Sequence, residues 1–373
     1  MISKKFVLQG KKYLKSKVLF NYKINPSSKY FSDTNSLIIA RTFLSCIIVI
    51  FTFFLVPLLI DFNKNRVFFS KEFQNDSKKN FTNKLENKNI DLDQEVSEKD
   101  LFADVIELNE LPSDTVRLSA STIDQLFKDT KYNLEDVRKK KLVKPVSLTL
   151  LPKEMRMIED VKKRKDLFIQ IILPLIVKEN NLIRIDRKTL FGILNKSKNT
   201  KLEKKWLEKK FKQYGVANKD VITLKIRMDE IPNSIAIAQA AKETGWGTSR
   251  FAQEGNALFG QWTWSGEGIK PSGADKDETH KVMRFKVLQA SVRAYQRNLN
   301  THSSYKEFRS ARAQLRDENK PLDSLALSEF LDKYAETGKN YVKILQQIIN
   351  QNKLTDFDEA KLLPSSMDLE SLI

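Results

Sequence analysis

The sequence predicts a mainly α-helical protein in which a folded, outward-facing part follows a single membrane-spanning helix. Three observations predict it. Residues 42–60 form an uncharged apolar stretch, residues 101–228 and 288–348 carry helical periodicity, and a nearly all-apolar run at 235–241 leads into a segment dense in glycine and aromatics.

A chain of 373 residues exceeds most single domains, so two folded units, or one domain with additions, are expected. Hydrophobic residues at 41% and aromatics at 10% supply a core, while the net charge of +18 calls for a polyanionic partner. Nucleic acid, anionic lipid and the acidic bacterial cell wall all meet that description. One cysteine, Cys46, excludes an intrachain disulfide, and with only His280 and His302 besides it a zinc site lacks ligands. No metal and no organic cofactor is expected. Aspartate and glutamate chemistry stays open.

Residues 42–60, TFLSCIIVIFTFFLVPLLI, are 19 residues without a charge, close to the roughly 20 that span a bilayer. Pro57 falls near one end, and Cys46 lies within the span, out of reach of catalysis. Residues 1–41 hold nine Lys/Arg against Asp33 alone, which marks the cytoplasmic side. No small-residue cleavage site follows, so an uncleaved anchor is favoured over a signal peptide. The expected location is the inner (cytoplasmic) membrane, single-pass, with the N-terminus cytoplasmic and the remainder periplasmic. Of the net +18, +8 belongs to the tail and +10 to the rest, which places nucleic acid last among the partners.

Residues 61–100 are rich in Asn and Lys without apolar periodicity and read as a flexible tether. Residues 101–228 read as a helical extension: Ile158, Val161, Phe168, Ile171, Ile172 and Leu175 approximate a 3.6-residue period, and Trp206 and Phe211 lie in a Lys-rich helix. The run FIQIILPLIV (168–177), ten residues long, is a core helix kinked at Pro174 rather than a second span.

The segment 231–264, IPNSIAIAQAAKETGWGTSRFAQEGNALFGQWTW, carries the chemistry. Pro232 suits a first helical turn. IAIAQAA is apolar on nearly every side, which indicates an enclosed helix, and Gly245 suits its left-handed end. Glu243 sits in the last turn, where burial and the negative end of the helix dipole both favour the protonated carboxyl that a general acid needs. An isolated glutamate at a helix end is ordinarily solvated. Here Trp246, Phe259, Trp262 and Trp264 crowd into 19 residues with Gly245, Gly247, Gly255 and Gly260, a composition suited to a carbohydrate groove. Each aromatic taken singly serves a core equally well.

The motifs AQAAKETGWGTSRFA (238–252) and GNALFGQW (255–262), with HKVMRFKVLQASVRAYQRNLNTH (280–302) and YAETGKNYVKILQQII (334–349), resemble the glucosaminidase superfamily of peptidoglycan hydrolases, glycoside hydrolase family 73. The resemblance covers about 225–352 and extends more weakly back to about 150. It implies a lysozyme-like α+β domain with a small β-lobe beside a glycan groove, here residues 229–352, followed by a C-terminal tail, 353–373. It implies Glu243 as the residue that protonates the glycosidic oxygen and Tyr334, in the Y-A-x-x-G motif, across the groove. The second acid falls in 263–281, with Glu278 the best placed, then Glu267, Asp275 and Asp277. Trp246, Asn256, Phe259, Trp262 and Trp264 are the expected glycan contacts. Carboxyl groups about 5 Å apart indicate retention and about 6.5–9.5 Å inversion, and assistance by the sugar's acetamido group is a third course.

Elsewhere Leu288, Val292, Tyr295 and Leu299 mark one core face, Leu325, Phe330 and Leu331 a second, and Tyr341, Ile344, Leu345 and Ile348 a third. Tyr334 fits a core position as well as a catalytic one, and His280 reads as a packing or hydrogen-bonding residue of the β-lobe. The reading is a membrane-anchored hydrolase of peptidoglycan glycan strands, cutting the β-1,4 bond between N-acetylglucosamine and N-acetylmuramic acid. A lytic transglycosylase is the rival enzyme, and a non-catalytic peptidoglycan-binding or morphogenesis factor the rival from another class.

Overall fold

The computed structural model describes residues 96–109, 116–263, 268–269 and 281–364. All belong to one unit, Asp91–Ile373. The basic tail, the expected span at 42–60 and nearly all of the tether lie outside the described residues, as do Trp264, Glu267, Asp275, Asp277, Glu278 and His280. Among the described residues no helix is long and apolar enough to cross a membrane.

After one turn at Glu98–Leu101 come helices α1 (Ala103–Asn109), α2 (Ala120–Asp129) and α3 (Leu134–Lys140), then the short strand β1 (Leu142–Val143). Helix α4 (Val161–Leu194) is the longest, with α5 (Lys201–Gln213), α6 (Val221–Arg227), α7 (Asn233–Thr244) and α8 (Arg250–Gly255) behind it. Strands β2 (Trp262–Thr263), β3 (Gly268–Ile269) and β4 (Lys281–Met283) form a three-stranded antiparallel lobe in the order β2-β4-β3, with Trp262 opposite Val282 and Gly268 opposite Met283. Helices α9 (Leu288–Thr301), α10 (Lys306–Asp317), α11 (Ser324–Ser328) and α12 (Lys339–Gln351) and strand β5 (Lys361–Leu362) complete the chain. A mainly helical body with a few short strands fits an α-rich, lysozyme-like fold.

Helix α4 shows why the ten-residue apolar run is core. Asp160 caps it by accepting from the amides of Lys162 and Lys163, and the helix continues through Pro174. An interior proline costs about 3 kcal/mol. Burial of the apolar residues between Leu167 and Val177 offsets it, since a fully buried aliphatic side chain contributes about 1.5–3 kcal/mol. Val161, expected on this face, is exposed, because the helix begins there before reaching the core, and Ile158 precedes the helix.

Helix α7 is enclosed as expected. Ile235 through Ala241 are all buried, and α4, α11, α12 and the 3₁₀ turn Leu354–Phe357 pack around them. The expected division at 228/229 does not divide the core. Buried residues from Ile123 to Val177 and from Ile231 to Ala360 form one continuous cluster, while Leu190, Phe211, Tyr214, Val216, Leu224 and Met228 form a satellite.

The tail requires correction. Residues 353–364 are folded in: Leu354 and Phe357 are fully buried, and β5 pairs in parallel with β1. This segment also caps α7 from a distance. Pro232 stands at the N-cap with no side chain to offer, and Asp358 accepts instead from the Ser234 amide and hydroxyl, both at 2.8 Å. Asn233 Nδ2 donates to the Phe357 carbonyl at 2.7 Å. Two expected core residues are also corrected. Phe330 is exposed because Glu329–Tyr334 is an irregular 3₁₀ segment, with non-helical Leu331, and does not keep a 3.6-residue period. Ile344 falls at the edge of the α12 stripe and is exposed, while Tyr341 and Leu345 are buried.

Candidate active site

Three consecutive left-handed residues end α7: Gly245 (φ 56°), Trp246 (φ 60°) and Gly247 (φ 82°). The chain therefore reverses immediately after Glu243. Trp246 takes this conformation despite its Cβ, at a cost of about 1–2 kcal/mol, and such local strain gathers at functional sites. Gly247 meets the core here, since a Cβ on it would lie 3.0 Å from the Phe168 ring of α4. The Thr244 hydroxyl holds the reversal by accepting from the Gly247 amide at 2.9 Å.

The Glu243 carboxyl is partly buried against a second stretch of backbone. Gly260, itself left-handed at φ 62°, stands so close that a Cβ there would lie 3.3 Å from Oε2 of Glu243. That loop is tied down by Tyr334, whose hydroxyl donates to the Phe259 carbonyl at 2.8 Å. The Tyr334 ring stacks on Tyr341 with centroids 5.4 Å apart and meets Tyr305 at 6.0 Å.

Behind the acid, a buried chain of hydrogen bonds has a fixed direction. Tyr295 Oη donates to Gln239 Oε1 at 2.6 Å, so Gln239 turns its Nε2 to Tyr341 Oη, at 3.0 Å. With its oxygen accepting, Tyr341 has its proton free for the Glu243 carboxyl, whose pKa it lowers. Burial raises the Glu243 pKa above the usual carboxylate value, and the Tyr341 bond and the Lys242 cation pull against that rise. The helix C-terminus works with burial. Tyr305, buried near the same carboxyl, is pushed up to about 12, first by burial and then by the Glu243 charge.

The other expected site residues are dispersed in role. Trp246 is partly buried, edge-on to Phe168 at 5.9 Å, with Lys165 Nζ 4.9 Å from its ring centroid. Phe259 is 2% exposed and stacked on Tyr295 at 3.8 Å, so its ring belongs to the core under the loop. Asn256 is 4% exposed, caps α8 in a left-handed conformation, and donates to the carbonyls of Phe285 and Lys286. It joins α8 to the segment after β4. Trp262 lies on β2, and Glu278 and Trp264 lie outside the described residues.

Sequence reasoning missed Gln239, Tyr305 and Tyr341 as groups facing the acid and placed Tyr295 and Tyr341 among plain core. The available signal was chemical: an amide inside IAIAQAA and tyrosines on core faces need buried polar partners. Among the described residues no group of three or more His, Cys, Asp or Glu is placed to hold a metal.

The mannosyl-glycoprotein endo-beta-N-acetylglucosaminidase (Glucosaminidase) family matches residues 218–354. Protein bax of Escherichia coli (strain K12) is 33% identical over 196 residues, covering 51% of this chain and 70% of that protein. No solved structure matches the chain. The matched region contains Glu243, the loop at Gly260 and all of the tyrosines around the acid, and with that relative it shows that the chain belongs to the glucosaminidase superfamily as a Bax-like, glycosidase-type member.

Proposed function

We propose that the protein is a membrane-anchored peptidoglycan hydrolase that cleaves the β-1,4 bond between N-acetylglucosamine and N-acetylmuramic acid. The observation that carries this reading is Glu243. Its carboxyl is half-buried at a helix C-terminus, raised in pKa, and set between the Gly260 backbone and the Tyr341 hydroxyl. In the reaction Glu243 gives its proton to the glycosidic oxygen as the bond from that oxygen to the anomeric carbon breaks. Tyr341 then donates to the carboxylate left behind. Tyr334 acts by holding the Phe259–Gly260 loop against the acid. Glu278 is proposed as the second carboxylate, which either attacks the anomeric carbon itself or takes a proton from a water that does, with the acetamido group of the sugar as the alternative nucleophile. In the first and third courses a water then attacks the anomeric carbon and returns its proton to Glu243, so that in every course water supplies the new hydroxyl.

Mass spectrometry of purified peptidoglycan digested by a soluble form beginning at residue 91 tests the reading. Fragments ending in reducing N-acetylglucosamine are expected. Products with 1,6-anhydro ends would instead make the protein a lytic transglycosylase, and an undigested wall that retains the protein would make it a binding factor.

The anchor at 42–60 and the periplasmic placement rest on the uncharged span and on the nine-to-one excess of basic residues before it. A reporter that works solely outside the cytoplasm, fused after residue 100, should be active. Activity from a reporter confined to the cytoplasm would reverse the topology.

A further inference from the structure

Gln239 and Glu243 stand four residues apart, on one face of α7. Tyr341 of α12 serves both. Its hydroxyl oxygen accepts from Gln239 Nε2 at 3.0 Å, and its proton is left for the Glu243 carboxyl. Gln239 and Tyr295 are fully buried, and Tyr341 is 1% exposed. An apolar side chain at 239 would complete the run IAIAQAA without desolvating an amide. Packing alone gives no reason for a glutamine here.

The orientation of the amide follows from its neighbours. Tyr295 Oη donates to Gln239 Oε1 at 2.6 Å, which turns Nε2 toward Tyr341. Reversed, with Oε1 toward Tyr341, the amide would draw the Tyr341 proton away from Glu243. It would also leave the Tyr295 proton without an acceptor among the described residues. The observed orientation places both protons.

The same bond fills the oxygen of Tyr341. A phenol both donates and accepts. With Gln239 on its acceptor side, Tyr341 can donate to the ionised carboxylate but is a poor acceptor for the proton of the neutral carboxyl. Were residue 239 apolar, protonated Glu243 could turn its O–H onto Tyr341, an internal rival of the glycosidic oxygen. The geometry points to Gln239 as a positioning residue: by occupying the acceptor side of Tyr341, it keeps the proton of Glu243 for the glycosidic oxygen of the substrate. This rests on Glu243 as the general acid of the hydrolase proposed above. Gln239 touches none of the reacting atoms and acts through Tyr341.

A pH profile reads this role. Among the described residues the titratable groups facing Glu243 are Lys242, beside it on α7, and Tyr305, Tyr334 and Tyr341. All three tyrosines are raised above the usual phenol value, first by burial, and so stay protonated while Glu243 titrates. The alkaline limb of activity then reports Glu243.

The test measures kcat, KM and the pH profile of muropeptide release by the full-length protein in detergent micelles. Gln239→Met should lower kcat about tenfold, the effect on a barrier of roughly one hydrogen bond, with KM unchanged. Its alkaline limb should move to higher pH, because Tyr341 then stabilises the protonated carboxyl as well. The single change also strands the buried Tyr295 hydroxyl and endangers folding. Combining Gln239→Met with Tyr295→Phe removes both partners and should return the melting temperature toward wild type, while the lower kcat and the shifted limb persist. On a Tyr341→Phe background, Gln239→Met should add nothing to either. An unchanged kcat, or a wild-type limb in the folded combination, would make Gln239 a core residue and overturn the proposal. The hydrolase reading fails differently, by an undigested wall or by wild-type digestion with Glu243→Gln, and takes this proposal with it.

Discussion

Glu243→Gln should lower glycan cleavage by about 10²- to 10⁴-fold, the usual worth of a positioned general acid, while the fold is retained. Glutamine keeps the size of the side chain and can accept from Tyr341, but it has no proton to deliver. The pH dependence follows from the raised pKa of Glu243, whose first cause is burial. The active form is the protonated one, so wild-type activity should fall as pH rises through that pKa, and the variant should lack this alkaline limb. Stability carries the same sign. A carboxyl with a folded pKa above its unfolded one binds its proton more tightly in the folded state, so wild type loses stability as pH rises between the two values. The glutamine variant escapes that loss and should melt at or above the wild-type temperature at neutral pH. Muropeptide release and thermal melting of both proteins across pH measure both effects. Wild-type digestion by the variant would remove Glu243 from the mechanism.

Phe357→Ala should destabilise the protein by about 3–5 kcal/mol, the usual cost of truncating a fully buried phenylalanine. Phe357 is completely buried, and the Arg138 guanidinium lies over its ring at 4.3 Å. The melting temperature should drop by roughly 6–20 °C, at about 2–4 °C per kcal/mol for a unit of this size. Ending the chain after Asn352 should do more damage, because it also removes Leu354, the Asp358 cap on α7 and the β1–β5 pairing. Urea and thermal unfolding measure the loss. A fully active, equally stable truncated chain would return residues 353–364 to the status of a tail.

The helix carrying Glu243 was legible because its signals are local. An apolar run of one helical length, a glycine to end it and a carboxylate in the last turn need no partner elsewhere to be recognised. The same holds for the Lys-rich helix α5, which begins at a Thr200–Glu203 capping box, and for the core face of α9. The motifs around Glu243 carried the superfamily for the same reason: they lie within one continuous segment.

The surroundings of the acid were decided by tertiary structure. Gln239, Tyr295 and Tyr341 belong to α7, α9 and α12, and their hydrogen bonds join residues 56 and 102 positions apart. Periodicity shows that Tyr295 and Tyr341 turn inward, but not that their hydroxyls meet one amide beside a carboxyl. Phe259 and Asn256 make the converse case: the motif GNALFGQW marks them, yet packing turns Phe259 under the loop and spends the Asn256 amide on two carbonyls. The segment NKLTDFDEA looked like a tail because Leu354 and Phe357 are too few to form a pattern. What buries them is a space left by α7 and α12, which exists only once distant helices have packed, and no local pattern of residues encodes that space.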